Sequence, residues 1–173
     1  MGQIAQLIVA SAKVTRGYAE RLLAGIPADQ FARVPNLGGR VIKTNHPAWV
    51  YGHLAIYPSR IAAAVGLDGA RLAAPSTFED LFKDGTECRD DPSGSIYPSM
   101  DAITSAFFRA HDGLFEILGG VEDARLTAQT EDEKARQRFP LVGSRILFLC
   151  NNHITMHLGQ VSAWRRCIGL PAA

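Results

Sequence analysis

An all-α fold, a four-helix bundle with two long connecting loops, is the class this sequence predicts, and three observations predict it. Apolar residues recur at three- and four-residue spacing across residues 3–24, 98–118 and 144–168. No stretch alternates apolar and polar residues as a half-buried strand would, and Gly or Pro stands where most helical runs should stop. With 173 residues the chain can bury one sizeable core and is short for two, so residues 1–173 are read as a single domain. Hydrophobic residues at 47% and charged residues at 20% are globular values, and a net charge of +1 gives no electrostatic reason to expect nucleic acid as a partner. Charge or proline interrupts each apolar stretch before membrane-spanning length, so no membrane partner is expected. The beginning Met-Gly-Gln-Ile-Ala-Gln lacks a signal-peptide core and lacks the Ser or Thr that myristoylation wants at Gln6; the expectation is a cytoplasmic protein.

The first helix spans residues 3–24: Ile4, Leu7, Ile8, Val14, Tyr18, Leu22 and Leu23 fall at helical spacing, and Gly25 with Pro27 stops the run. Residues 28–44, with Pro35, Gly38 and Gly39, read as an irregular connection. A second helix opens at Thr44-Asn45-His46-Pro47, where proline at the first helical position costs no hydrogen bond. His46 there reads as a cap or surface residue, whereas His53 shares a face with Trp49, Val50, Ile56 and Tyr57 and points at the core. Pro58 should kink this helix or end its regular part.

Residues 66–97 are rich in Gly, Pro, Asp and Ser, with one short helical patch at 76–82, and form the first candidate for a lid. The third helix, 98–118, carries Ile103, Phe107, Ala110, Leu114 and Ile117 as its stripe and stops at Gly119-Gly120. His111 sits at the edge of that stripe, as a hydrogen-bonded flank residue. Residues 121–142 read as a charged loop or frayed helix and a second lid candidate, from which Arg136 or Arg138 could meet an anionic group.

The last helix, from about Ser144 to Ile168, holds the most informative stretch. At 100° per residue, His153 and His157 share a face with Ile146, Cys150, Gln160, Val161 and Trp164; Asn151, Asn152, Thr155, Ser162, Arg165 and Arg166 lie opposite. That places two imidazoles on the face expected to be buried, where an unpartnered polar ring costs about 1–3 kcal/mol. A His-x-x-x-His pair on one helix face can give two ligands to one ion, and His53 from another helix would be a third. The pair lacks the following Glu of zinc proteases, which disfavours that chemistry. Three neutral imidazoles with open positions describe a catalytic rather than a structural metal site. Cys88, Cys150 and Cys167 are odd in number and form no Cys-x-x-Cys, which argues against disulfides. Cys150, one turn before His153, is a candidate metal contact, its simpler reading being a buried thiol. Gln160 is a candidate to hydrogen-bond a histidine, and Trp49 and Trp164 read as pocket wall and core. Phe148, Met156 and Leu158 fall away from the histidine face, and their exposure in a monomer predicts a homodimer.

The motif Trp49-x-x-x-His53-Leu54 on the second helix, and Asn152-His153-x-x-x-His157-x-Gly159-Gln160 with Trp164 on the last, resemble the DinB-like (DinB/YfiT) superfamily, whose members are regarded as metalloenzymes. The resemblance spans nearly the whole chain and implies an up-down-down-up bundle, frequent homodimers, and a divalent metal (zinc, nickel or iron) held by His53, His153 and His157. Relatives include thiol-dependent S-transferases and a mycothiol-dependent maleylpyruvate isomerase. Many members have His and Arg flanking the second histidine of the pair; Met156 and Leu158 stand there in this chain. The expected function is therefore a metal-dependent, thiol-dependent transferase acting on a small molecule, with a metal-dependent hydrolase and a non-catalytic metal-binding or stress-response dimer as the alternatives. The catalytic and thiol-binding residues themselves are not assigned.

Overall fold

The computed structural model describes residues 2–173 and is mostly helical. Helix α1 runs Gln3–Leu23. Its buried stripe contains Ala5, Ala12 and Ala19, seven residues apart, together with Ile8, Val9 and Leu22. Small residues at that repeat let neighbouring backbones approach closely. Leu7 and Val14, expected in the stripe, are instead among the most exposed apolar side chains, at 72% and 73%. The free N–H groups of its first turn are taken up from a distance, as Gln3 and Ile4 donate to the Asp123 carboxylate at 3.2 and 2.9 Å.

Residues 36–41 form a two-residue hairpin, β1 (Asn36–Leu37) with β2 (Arg40–Val41), in the connection expected to be irregular. Gly38 and Gly39 between them have φ of 58° and 85°, and this left-handed pair is what so tight a hairpin requires. Helix α2, Pro47–Ala55, begins with proline as expected and ends at Ile56. Helix α3, Tyr57–Ala64, continues after that break with Pro58 near its start, so the proline ends the regular helix where the sequence said it would. His46 caps α2: its Nδ1 accepts from the Trp49 N–H at 3.2 Å and its Nε2–H donates to the Arg89 carbonyl at 2.9 Å. It is fully buried, not a surface residue, because the 66–97 connection folds over it.

That connection contains a 3₁₀ turn at Ala70–Leu72 and helix α4 at Thr77–Phe82. Leu72, Phe78, Phe82 and Tyr97 are all buried, so most of the lid candidate is a packed excursion. Asp91 fixes its end by accepting from the backbone N–H groups of Ser95, Ile96 and Tyr97. Helix α5, Met100–Leu118, is capped by Ser99. His111 on it is 1% exposed, within the buried face rather than at its edge, and donates from Nε2–H to the Leu54 carbonyl at 3.2 Å. Two short helices, α6 (Asp123–Thr127) and α7 (Glu133–Arg138), occupy the charged segment.

The last helical run is α8, Val142–Leu147, a π-helical turn, Phe148–Asn152, and α9, His153–Cys167. The long runs pack in neighbouring pairs: α1 and α2 each pack against both α5 and α9, and α3 packs against α5. Two apolar clusters result. One joins the C-terminal half of α1, α2, α4 and the start of α5 to Ile154, Leu158, Val161 and Trp164 of α9. The other joins the N-terminal half of α1, α3 and the end of α5 to Val142, Ile146 and Cys150.

The π turn lies where the first cluster gives way to the second, and it corrects the face assignment of the last helix. Ile146, Cys150, Ile154 and Leu158 are buried at steps of four. On an ideal α-helix each such step drifts about 40° around the axis, so four residues in a row would leave a single face. The wider π turn absorbs that drift and keeps all four toward the core. Leu158 is therefore fully buried and drops out of the argument for a dimer, whereas Met156 is 63% exposed. Arg165, expected on the polar face, is 3% exposed. Its guanidinium donates to the carbonyls of Leu22, Ala24 and Pro171, satisfying the C-terminal end of α1. Asn151, also expected outside, is buried, and its amide lies 3.5 Å from the Ile8 carbonyl.

Candidate metal centre

With the π turn holding Ile154 and Leu158 in the core, His153 and His157 are displaced to the flank of α9, half-buried, and face His53 of α2. His53 is 2% exposed. Its ring stacks on Trp49, centroids 4.7 Å apart and planes 11° from parallel, while Tyr57 meets it edge-on at 5.1 Å. The structure brings together all three histidines singled out from the sequence. One ligand-capable atom of each lies within 4.8 Å of those of the other two, and the group could hold a metal ion.

Hydrogen bonds set the tautomers. His53 Nδ1–H donates to the Phe82 carbonyl at 2.7 Å, which leaves the lone pair on Nε2. His157 Nδ1–H donates to Gln160 Oε1 at 3.1 Å, with the same consequence. Gln160 is fixed in turn by Asn45, whose side-chain amide donates to the same oxygen at 3.1 Å. The Nε2 atoms of His53 and His153 are 3.3 Å apart. Two imidazole nitrogens that share an ion at about 2.1 Å in a tetrahedral arrangement stand about 3.4 Å apart, so the donor set fits a divalent cation. His153 Nδ1 is buried without a partner, the one ring nitrogen away from the centre left unsatisfied in the triad.

Burial sets the charge. Desolvation pushes His53 down to about 4, with repulsion from His157 adding to it. Desolvation, then repulsion from His157 and His53, pushes His153 down to about 3, and His157 is lowered mainly by burial. Near neutral pH all three rings are uncharged, the form in which imidazole binds metal.

The triad opens on a cavity of about 560 Å³, a size suited to a small molecule. Beyond the histidines, Tyr57, Asp84, Lys134, Arg138, Phe139 and Arg145 are among its lining residues. Of the two arginines considered for an anion, Arg138 lines the cavity; Arg136 donates instead to the Thr130 carbonyl. Cys150 is fully buried in the second apolar cluster and contributes nothing to the centre. Burial pushes its thiol up to about 12. His111 and His46 are also apart from it.

Asp84 is the lining residue with the faintest sequence signal. It sits in Lys83-Asp84-Gly85, which reads only as a turn, yet it follows by two residues the Phe82 whose carbonyl holds His53. That carbonyl depends on Gly52: a Cβ there would stand 2.5 Å from the Phe82 ring. Gly52→Ala should therefore cost about 2 kcal/mol by overpacking and tilt His53, lowering metal content as well as the denaturant midpoint. Full metal retention in that variant would show that Phe82 does not set the His53 orientation.

No curated protein matches this chain significantly. The profile of the DinB superfamily matches residues 12–161, a span that includes the three converging histidines, Gln160 and the whole π turn, and the chain belongs to that superfamily.

Proposed function

We propose that His53, His153 and His157 hold a divalent metal ion (zinc, nickel or iron) and that the adjoining cavity is the active site of a transferase that uses a low-molecular-weight thiol. The observation that carries this reading is convergence: three neutral imidazoles from two helices present nitrogens to one point beside a cavity of small-molecule size. When bound, the ion would lower the pKa of a thiol or of water beside it, which supplies a nucleophile at neutral pH. Phe82 and Gln160 orient two of the imidazoles, and Trp49, stacked on His53, keeps bulk water from that ring. Of the two lining carboxylates, Asp132 accepts from the Ala135 N–H as the cap of α7, which leaves Asp84 to accept the proton a thiol sheds.

The reading extends to the architecture. The pairwise packing of α1, α2, α5 and α9 supports an up-down-down-up four-helix bundle forming one domain. Among the described residues no helix is long and apolar enough to cross a membrane, which agrees with a cytoplasmic protein. A homodimer is supported by exposed Leu7, Leu141 and Leu147, which border one apolar groove.

Cobalt-substituted protein titrated with bacillithiol, mycothiol or glutathione should develop thiolate charge-transfer absorption, and His157→Ala should abolish it while His46→Ala leaves it in place. If no thiol perturbs the cobalt spectrum and small inhibitory anions do, the chemistry is that of a hydrolase. If neither reaches the metal, the centre is non-catalytic.

A further inference from the structure

The cavity has a second set of polar groups that metal binding leaves unused. Lys134 and Arg138 of α7 and Arg145 of α8 line it, and Arg60 of α3 adds a fourth cation. Arg60 is already committed, ion-paired to Glu79 and placed over the Tyr57 ring. The carboxylates that could neutralise the others are spoken for or few: Asp132 caps its own helix, and Asp84 is the remaining acid. Among the described residues, none of Lys134, Arg138 and Arg145 is ion-paired to a carboxylate.

Arg138 is held in a particular way. Its guanidinium lies 5.1 Å from the centre of the Phe139 ring and 4.6 Å from that of Phe148, and the two rings are 5.1 Å apart. The Phe148 ring centre is in turn 6.0 Å from that of His153. Stacking uses the flat face of a guanidinium and leaves its N–H edge free, the edge that pairs bidentately with a carboxylate or phosphate. A continuous path thus leads from the histidine centre across an aromatic surface to an unpaired, oriented cation. Cations that converge in a concave site with low-dielectric walls concentrate anions there.

We propose that the cavity takes a small organic anion: a carboxylate or phosphate on a flat apolar body, its acid group held by Lys134, Arg138 and Arg145 and its body covered by Phe139 and Phe148. The site rests on the metal reading only for what the other end of the molecule meets; the acid-binding wall is built from α7 and α8 alone.

The test uses metal-free protein, so that it stands whether or not the histidines bind metal. Benzoate, phenylphosphonate and benzyl alcohol, of similar size and differing in charge, are titrated calorimetrically at low ionic strength. At least one anion should bind about tenfold or more tightly than the alcohol, and the choice between benzoate and phenylphosphonate identifies the acid group. Lys134→Gln with Arg138→Gln should remove the preference; both side chains are exposed, so the fold should persist by circular dichroism. His153→Ala should lose metal yet keep the anion preference. Equal binding of the alcohol, survival of the preference in the double variant, or no binding of either anion in the millimolar range would overturn the proposal. Absence of metal from the wild-type protein would overturn the metal reading and leave this one standing.

Discussion

His153→Ala protein, purified without a nickel column, is expected to contain almost no divalent metal where the wild type contains close to one equivalent. Removing even a hydrogen-bond partner of a metal-bound histidine costs about 10–100-fold in affinity, so removing one of three ligands should cost more than about a hundredfold. His53→Ala and His157→Ala should behave alike, because each supplies one converging nitrogen. Gln160→Ala is the graded case: it leaves every ligand and removes only the acceptor of the His157 Nδ1–H. Its metal affinity should fall by about tenfold. Elemental analysis checks all four, and unchanged metal in the three histidine variants would remove the assignment.

The metal-free protein should lose most of its stability between pH 6.5 and 4. All five histidines have lowered pKa values, in each case chiefly because burial disfavours the charged ring. The unfolded chain, with ordinary histidines near 6.5, therefore binds protons that the folded chain refuses, and folding weakens as pH falls. For His53 and His111, each pushed down to about 4, the loss at pH 5 is about 2 kcal/mol apiece. Together that is a large share of the 5–15 kcal/mol by which domains are typically stable. The stability is fully present above pH 6.5 and disappears as the pH approaches the folded pKa values. Thermal melts of chelator-treated protein across this range are the measurement. A flat profile would mean that the histidines are not held uncharged in the folded state. Metal loading should move the loss to lower pH, because a bound ion competes with protons for the same nitrogens.

The elements and the centre were legible to different extents, for physical reasons. Proline at the first position of α2, the break at Pro58 and the glycines after α1 and α5 act through local backbone chemistry, and local chemistry can be read from neighbours in sequence. The three histidines were legible because an i, i+4 pair needs only helix geometry, and His53 needed only an apolar face of its own. What failed was everything decided by distant packing. His46 looks like a surface cap until residues 66–97 are laid over it, and His111 moves from edge to interior because its partner is the Leu54 carbonyl on another helix. The cavity wall of Asp84, Lys134 and Arg138 comes from connections whose charges read, one at a time, as ordinary solvated surface, and Arg145 joins it from α8. Leu158 and Arg165 were misplaced for a single reason, since a uniform 100° per residue cannot represent a turn of different pitch. The four-residue steps of Ile146, Cys150, Ile154 and Leu158 were the available signal.

The π turn makes the centre the product of one residue's worth of backbone. Were 148–152 to close as ordinary α-helix at unchanged length, everything after it would rotate by about 100° relative to α8, whereas deleting one residue there would remove the turn and keep the phase. Keeping Ile146 in its cluster after such a rotation would pull Ile154 and Leu158 out of theirs and swing His153 and His157, on the same helix, away from His53. In evolutionary terms, a lineage could lose this site through substitutions that straighten the turn, or through an in-frame insertion or deletion that no such turn absorbs, with every histidine codon intact. The His-x-x-x-His pair in a related sequence is thus informative about metal only when its phase relative to Ile146 is also kept, by this spacing with a π turn or by one residue fewer without it.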